Sequence, residues 1–233
     1  MGNWETHFPR LYAIVDAAFF ASSGEICGFA EALVAGGGTL LQYRNKSGDA
    51  RVMLEQAREL KRRLGCWSGG RPRPPALSES VPRTGASGAP QSIRLIMNDR
   101  ADLCLAAEFD GVHVGQEDLS PESVRKIIGP ERWLGVSTHN PEQIRDADLT
   151  SADYLAIGPV FPTSSKKRPD PVVGLEGVRR ARALTCKPLV AIGGITRANA
   201  ASVIAAGADS VAVISDLLRE PRKSVEEFLR ILR

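Results

Sequence analysis

Several features are scarce in this chain, and each shortage narrows what it does. No run approaches the roughly 18 consecutive apolar residues of a membrane span, so no membrane partner is expected. The opening segment Met1–Arg10 has no apolar stretch of the kind a secretory signal needs, so none is expected. Cysteine occurs four times, at Cys27, Cys66, Cys104 and Cys186, without CxxC spacing. A reduced cytoplasmic setting fits that pattern better than a disulfide framework. Net charge is only +3, far from the basic balance of a nucleic-acid arm, and no nucleic-acid partner is expected. No GxGxxG follows the first apolar run, where Asp16-Ala17-Ala18 stands instead. That omission disfavours a doubly wound dinucleotide fold.

What is present is an alternation. The 233 residues, 43% hydrophobic and 24% charged, have the composition of a soluble globular domain with room for one sizeable core. Short β-branched or apolar runs read as strands over Leu11–Val15, Leu40–Arg44, Arg94–Asn98, Gly111–Val114, Trp133–Ser137, Tyr154–Ile157, Pro188–Ile192 and Ser210–Ile214. Between them, helical patterns fall near 25–35, 49–64, 100–107, 120–128, 141–147, 175–184, 197–206 and 223–232. Ser120-Pro121-Glu122 and Asn140-Pro141-Glu142 each offer an N-cap followed by Pro at the first helical position. Gly36, Gly129 and Gly207 stand where helices need C-caps. Parallel strands require crossover connections, so strict alternation predicts an α/β chain with a parallel sheet, and eight units predict a single-domain TIM (β/α)8 barrel over 1–233. One stretch, Gly65–Ser92, breaks the rhythm with five Gly, five Pro and five Ser. It reads as a flexible surface insertion between helix 2 and strand 3, on the face opposite the strand C-termini.

Barrels place their chemistry at strand C-termini, and polar residues gather there. Asp99 follows strand 3 and Asp118 follows strand 4, a pair of hard oxygen ligands suited to Mg2+. Each alone could equally cap a helix or close a turn. Asn98 adds an amide able to read a heterocycle or to support the metal's surroundings. At the end of strand 2, extended geometry puts Gln42, Arg44 and Lys46 on one face, with Tyr43 pointing away. Two cations facing a barrel interior call for an anion, although a solvated strand end remains the alternative. Ser137 and His139 lie past strand 5, with no acid placed beside His139 by the sequence. His113 reads as a packed or hydrogen-bonded histidine rather than a ligand. The long loop after strand 6 carries Thr163, Ser164, Ser165 and Lys166, hydroxyls and a cation together, and its length suits a lid over the mouth. Gly193-Gly194 after strand 7, and Ile214-Ser215 after strand 8, stand where barrels bind phosphate through backbone N–H groups.

Taken in order, these segments resemble the thiamine-phosphate synthase family. Its landmarks stand here as Gln42–Lys46, Asn98–Arg100, Asp110–Asp118, Gly135–His139, Gly158–Lys166, Gly193–Ile195 and Ala212–Ser215, across about residues 10–218. The resemblance implies a transferase that joins a pyrimidine diphosphate to a thiazole phosphate with Mg2+ as cofactor. It implies Mg2+ on Asp99 and Asp118. Gln42, Arg44, Lys46, Asn98, Ser137 and Lys166 would hold the pyrimidine diphosphate, with Tyr43 and Asn45 completing the strand 2 run. Thr163, Ser164, Ser165, Gly194, Ile214 and Ser215 would hold the thiazole phosphate. Arg44, Lys46, Ser137 and Lys166 would carry the catalytic load. A homo-oligomer is compatible with this reading. Tyr43 replaces a usual Leu, Ser164-Ser165 replaces a more usual hydroxyl-rich pair, and the 65–92 insertion is unusual. A thiazole tautomerase of the same fold and a non-catalytic phosphate-ligand sensor are the alternatives. The tautomerase tends to lose the cations and metal carboxylates retained here, and a sensor has little need of Asp99, Asp118 and Lys166 together. Replacing Gly65–Ser92 with a brief linker is expected to leave coupling activity intact. Lost activity with an unchanged unfolding midpoint would mean that the insertion reaches the site or an interface.

Overall fold

A computed structural model describes residues 8–65, 92–163 and 170–233. Eight parallel strands close into a barrel: β1 Leu11–Asp16, β2 Leu40–Arg44, β3 Arg94–Asn98, β4 Gly111–Val114, β5 Trp133–Thr138, β6 Tyr154–Ile157, β7 Leu189–Ile192 and β8 Ser210–Val213. Each pairs with the next, and β8 returns to β1 through Leu11↔Val211. Helices α1 Ser23–Ala35, α2 Ala50–Gly65, α3 Ala101–Ala106, α4 Pro121–Ile128, α5 Pro141–Asp148, α6 Gly174–Arg182, α7 Ala200–Ala205 and α8 Pro221–Ile231 follow the strands in turn. The architecture is the expected TIM (β/α)8 barrel. The insertion lies outside the described residues, apart from its ends. The chain leaves α2 at Gly65 and re-enters at the N-terminal end of β3, opposite the strand C-termini.

Local chemistry accounts for the boundaries. Ser120 and Asn140 cap α4 and α5 by accepting from Ser123 N and Gln143 N, with Pro at the first turn. Two short 3-10 helices, Ala17–Phe19 and Ser215–Leu217, have no counterpart in the sequence pattern. Helix α7 starts at Ala200 instead of 197, because Asn199 Oδ1 accepts from Thr196 N (2.8 Å) and holds a turn there.

Two apolar layers result. The larger fills the space between strands and helices, with Leu33, Leu60, Val124, Val178 and Phe228 meeting outward-facing strand residues. The smaller occupies the barrel interior: Tyr12, Ile14, Leu40, Ile96, Tyr154, Ala156, Val190 and Ala212, with Trp133 packed against it. Large interior side chains require small neighbours. A Cβ on Gly111 would lie 2.4 Å from Trp133 O and 2.9 Å from Ile96 Cδ1.

The floor of the barrel carries a repeated stitch. Asp110, Asp153 and Asp209 each stand one residue before an even-numbered strand. Their carboxylates accept from Leu95 N (2.8 Å), Leu134 N (2.7 Å) and Leu189 N (2.8 Å) at the start of the preceding strand. Their own backbone N–H groups donate to the carbonyls of those same three leucines. A cation meets each carboxylate: Lys61, Arg125 and Arg182 respectively. Strand-start N–H groups that would otherwise be orphaned are thereby satisfied.

Gly111→Ala is expected to destabilise the fold by about 1–3 kcal/mol through overpacking. Gly28→Ala, at an exposed position of α1 with open space around its Cβ, is expected to stabilise it by about 0.5–1 kcal/mol. Urea midpoints moving in the same direction would contradict this account of the interior.

Candidate active site

One pocket opens at the strand C-termini, the mouth of the barrel. Gln42, Arg44, Asn98, Ser137, Thr163, Gly194, Ile214 and Ser215, all singled out from the sequence, line it. Lys46, Asp99 and Asp118 follow the C-terminal ends of β2, β3 and β4 and are not among its lining residues. Ser164, Ser165 and Lys166 lie outside the described residues. Tyr43 and Asn45 are not brought to the mouth by their side chains. Strand alternation turns Tyr43 outward to α2, where its hydroxyl donates to Gln56 Oε1 (2.5 Å). Asn45 Nδ2 donates to the same two oxygens, both at 3.1 Å. A side-chain role for either in substrate binding is therefore corrected to one in strand–helix packing. Burial pushes the Tyr43 phenol up to about 12, consistent with that packed position.

Cations at the mouth are matched with carboxylates. Arg44 Nη1 is paired with Asp16, which is almost wholly buried and also accepts from Ala18 N (3.1 Å). Among the described residues the guanidinium has no other side-chain partner, and its remaining donors suit a pocket ligand. Lys46 Nζ is paired with Asp99. Asp99 holds a left-handed backbone, φ +60°, which Asp adopts more readily than most residues but still at a cost. Its N–H donates to His113 O (2.8 Å), tying the bend to β4. Burial raises the Asp99 pKa; Lys46 works against that, and the Asp118 carboxylate adds to it. Asp118 Oδ2 accepts from Gly115 N (2.7 Å).

The donor set fits a hard divalent cation. Two adjacent carboxylates repel one another, and a cation between them would relieve the repulsion. Among the described residues there is no group of three or more His, Cys, Asp or Glu that could hold a metal. A site with so few protein ligands suits Mg2+, which keeps waters and phosphate oxygens in its shell. Asn98 Nδ2 is buried at the pocket wall with no partner among the described residues, a donor left for a ligand.

On the opposite side, the loops after β6, β7 and β8 press together. Gly193 and Gly194 have φ +98° and +64°, and a Cβ on Gly194 would lie 2.6 Å from Pro162 O. Phe161 N donates to Gly193 O (3.0 Å) and Asn199 Nδ2 to Gly194 O (3.1 Å). Arg197 staples the β7 and β8 loops by donating from N and Nε to Asp216 Oδ2 at 2.8 and 3.0 Å. This is the loop pair, with its short helix after β8, at which barrels bind phosphate.

His139 Nδ1 bonds Gly158 O (2.6 Å), and its Nε2 lies 3.5 Å from Asp170 Oδ2. An acid therefore does meet His139, brought from beyond the β6 loop, where no sequence spacing announces it. Ser137 Oγ is bonded to His113 Nε2 (2.8 Å), not to His139. Burial lowers the His113 pKa to about 4 despite Asp118, so its imidazole is neutral near pH 7. Asp16, Asp170 and Arg197 were not singled out from the sequence. Asp16 had one usable signal, a carboxylate at the C-terminal end of an apolar strand.

A family model described as thiamine monophosphate synthase matches residues 76–217. The thiamine-phosphate synthase of Koribacter versatilis (strain Ellin345) is 57% identical over 227 residues, covering 96% of each chain. That of Chloroflexus aurantiacus is 40% identical over 88% of this chain and 83% of its own. Among solved structures, thiamine phosphate pyrophosphorylase from Pyrococcus furiosus superposes with a TM-score of 0.73 at 29% identity, over 96% of this chain and 95% of that one. With this barrel and this mouth, the chain belongs to the thiamine-phosphate synthase family of transferases.

Proposed function

We propose that the chain couples 4-amino-5-hydroxymethyl-2-methylpyrimidine diphosphate with a thiazole phosphate, releasing diphosphate and thiamine phosphate. One observation carries this reading: Arg44 and Asn98 line one side of a single pocket whose other side is the glycine-rich β7 and β8 loops, and the Lys46–Asp99 pair stands just past the same strand ends, β2 and β3. One side suits a diphosphate and the other a phosphate monoester. The reacting atoms then meet between them.

Arg44 and Lys46 would hold the diphosphate and offset the charge that grows on it as the C–O bond to the pyrimidine methylene breaks. Lys166 would join them from the β6 loop. Gln42, Asn98 and Ser137 would orient the pyrimidine. Thr163, Ser164, Ser165, Gly194, Ile214 and Ser215 would anchor the thiazole phosphate, so that the ring nitrogen faces the methylene carbon and supplies the electron pair of the new C–N bond. Apolar walls, Ile14, Val190 and Ile192 among them, would keep water from the electrophilic carbon. Asp99 and Asp118 would hold Mg2+, which when bound neutralises charge on the leaving diphosphate. No covalent nucleophile is needed; positioning and electrostatics suffice. Free Cys27, Cys104 and Cys186 suit a reduced cytoplasmic setting. Among the described residues, no helix is long and apolar enough to cross a membrane.

The deciding assay supplies both precursors with and without Mg2+ and follows diphosphate and thiamine phosphate. Product that requires Mg2+ is expected; thiazole isomer conversion alone would replace this reading with a tautomerase. Asp99→Ala and Asp118→Ala are each expected to abolish Mg2+-dependent coupling in a folded barrel. Full turnover by folded Asp99→Ala would overturn the metal assignment. Arg44→Ala is expected to cost on the order of 10²–10³ in kcat/KM. Because it strands buried Asp16, its unfolding midpoint belongs beside the rate, and an unchanged rate would contradict the role. Asp99, with its raised pKa, takes up a proton earlier on acidification than an exposed carboxylate. The Mg2+ concentration needed for half-maximal rate should therefore climb as pH falls through that range. A requirement that stays flat down to the ordinary carboxylate range would count against Asp99 as a ligand.

A further inference from the structure

Beneath the mouth, the barrel interior holds an unbroken hydrogen-bonded chain between two pocket-lining side chains. Gln42 Nε2 donates to Tyr12 Oη (2.9 Å). Tyr12 Oη and Tyr154 Oη are 2.9 Å apart, and Tyr154 Oη is 3.1 Å from His113 Nδ1. His113 Nε2 then meets Ser137 Oγ at 2.8 Å. Tyr12, Tyr154 and His113 are all buried. The strands are built around this chain. His113, Gly135 and Tyr154 stand in register on β4, β5 and β6. A Cβ on Gly135 would lie 2.1 Å from Tyr154 Cζ and 2.4 Å from His113 Nδ1, so the two side chains meet over a position that only glycine leaves open.

Counting protons gives the chain a direction. The side-chain partners of the three inner groups are one another and the uncharged Gln42 and Ser137, and a neutral phenol or imidazole carries one mobile proton. Tyr12 accepts from the Gln42 amide, and its own proton has Tyr154 as its partner. Tyr154 must then give its proton to His113 Nδ1. The imidazole is thereby fixed as the Nε2–H tautomer, which donates to Ser137 Oγ. Gln42 is left presenting Oε1, an acceptor, to the pocket, and Ser137 is left with a hydroxyl proton to donate. Reversing any one member reverses all of them, because a misaligned neighbour would leave a buried donor unpaired.

We propose that Tyr12, Tyr154 and His113 are positioning residues that lock Gln42 as an acceptor and Ser137 as a donor, so that the pocket selects a 4-aminopyrimidine over its 4-oxo counterpart. An amino N–H beside an unprotonated ring nitrogen matches that acceptor and donor pair; a carbonyl beside a ring N–H opposes it at both points. This selectivity rests on the coupling reaction proposed above. Sites that leave buried polar groups mismatched reject the wrong ligand far more strongly than apolar pockets do.

Two measurements test it. Long-range 1H–15N NMR of the substrate-free protein is expected to show His113 as the neutral Nε2–H tautomer at pH 7. In kinetics, Tyr154→Phe and Tyr12→Phe remove the relaying hydroxyl with little change of shape. Each is expected to lower the ratio of kcat/KM for the aminopyrimidine diphosphate over its 4-oxo analogue by about 5–10-fold, the scale of one hydrogen bond. The KM for the thiazole phosphate should hold within about 2-fold, which a general loss of packing would not allow. An Nδ1–H tautomer in active wild-type protein would overturn the relay alone, as would an unchanged ratio in both folded variants. Wild-type protein with the Nε2–H signal but no turnover of the aminopyrimidine diphosphate would overturn the functional reading, and the selectivity with it.

Discussion

Charge pairing at the barrel mouth is the constraint on which the site depends. Arg44 projects from the end of β2 into a pocket whose apolar walls would make an isolated cation costly, and Lys46 stands more exposed just beyond it. Asp16 and Asp99 meet that cost from the neighbouring strands β1 and β3. Asp99 reaches its place by taking a left-handed backbone, a strain held in check by its N–H bond to β4. The mouth is thus balanced without a ligand, while the guanidinium keeps donors free for one. An anion arriving with a divalent cation can join this arrangement without leaving a buried charge unpaired.

The rest of the barrel makes such a mouth affordable. Its floor is stitched by Asp110, Asp153 and Asp209, whose ties to strand starts and to Lys61, Arg125 and Arg182 lie at the end away from the pocket. Its middle is filled by Tyr12, Trp133 and Tyr154 against Gly111 and Gly135. Stability is concentrated in the floor and the helix layer, and the polar groups at the top are free to serve chemistry, the division of labour usual in this fold.

Much of this was legible in the sequence because its signals are local. Strand runs, the Ser120 and Asn140 caps and the alternation of Gln42, Tyr43 and Arg44 each depend on residues a few positions apart. Period-two geometry placed Gln42 and Arg44 inward and Tyr43 outward, which the Tyr43–Gln56 bond reflects. What was not legible joins residues far apart along the chain. Asp16 finds Arg44 through the β1–β2 register, Asp170 finds His139 across a loop, and the Tyr12–Tyr154 pair spans the barrel interior. Asn45, grouped with the binding residues by its neighbours, turned out to serve α2, because period-two alternation carries it to the same side as Tyr43.

The central claim is that the cations and carboxylates of the mouth form one site for a metal-bound diphosphate. Calorimetric titration of inorganic diphosphate into the protein, with and without Mg2+, tests it without requiring turnover. Saturable binding of one diphosphate per barrel that needs Mg2+ and is lost in Asp99→Ala is the result this account requires. Equal binding by wild type and Asp99→Ala, or binding indifferent to Mg2+, would contradict it.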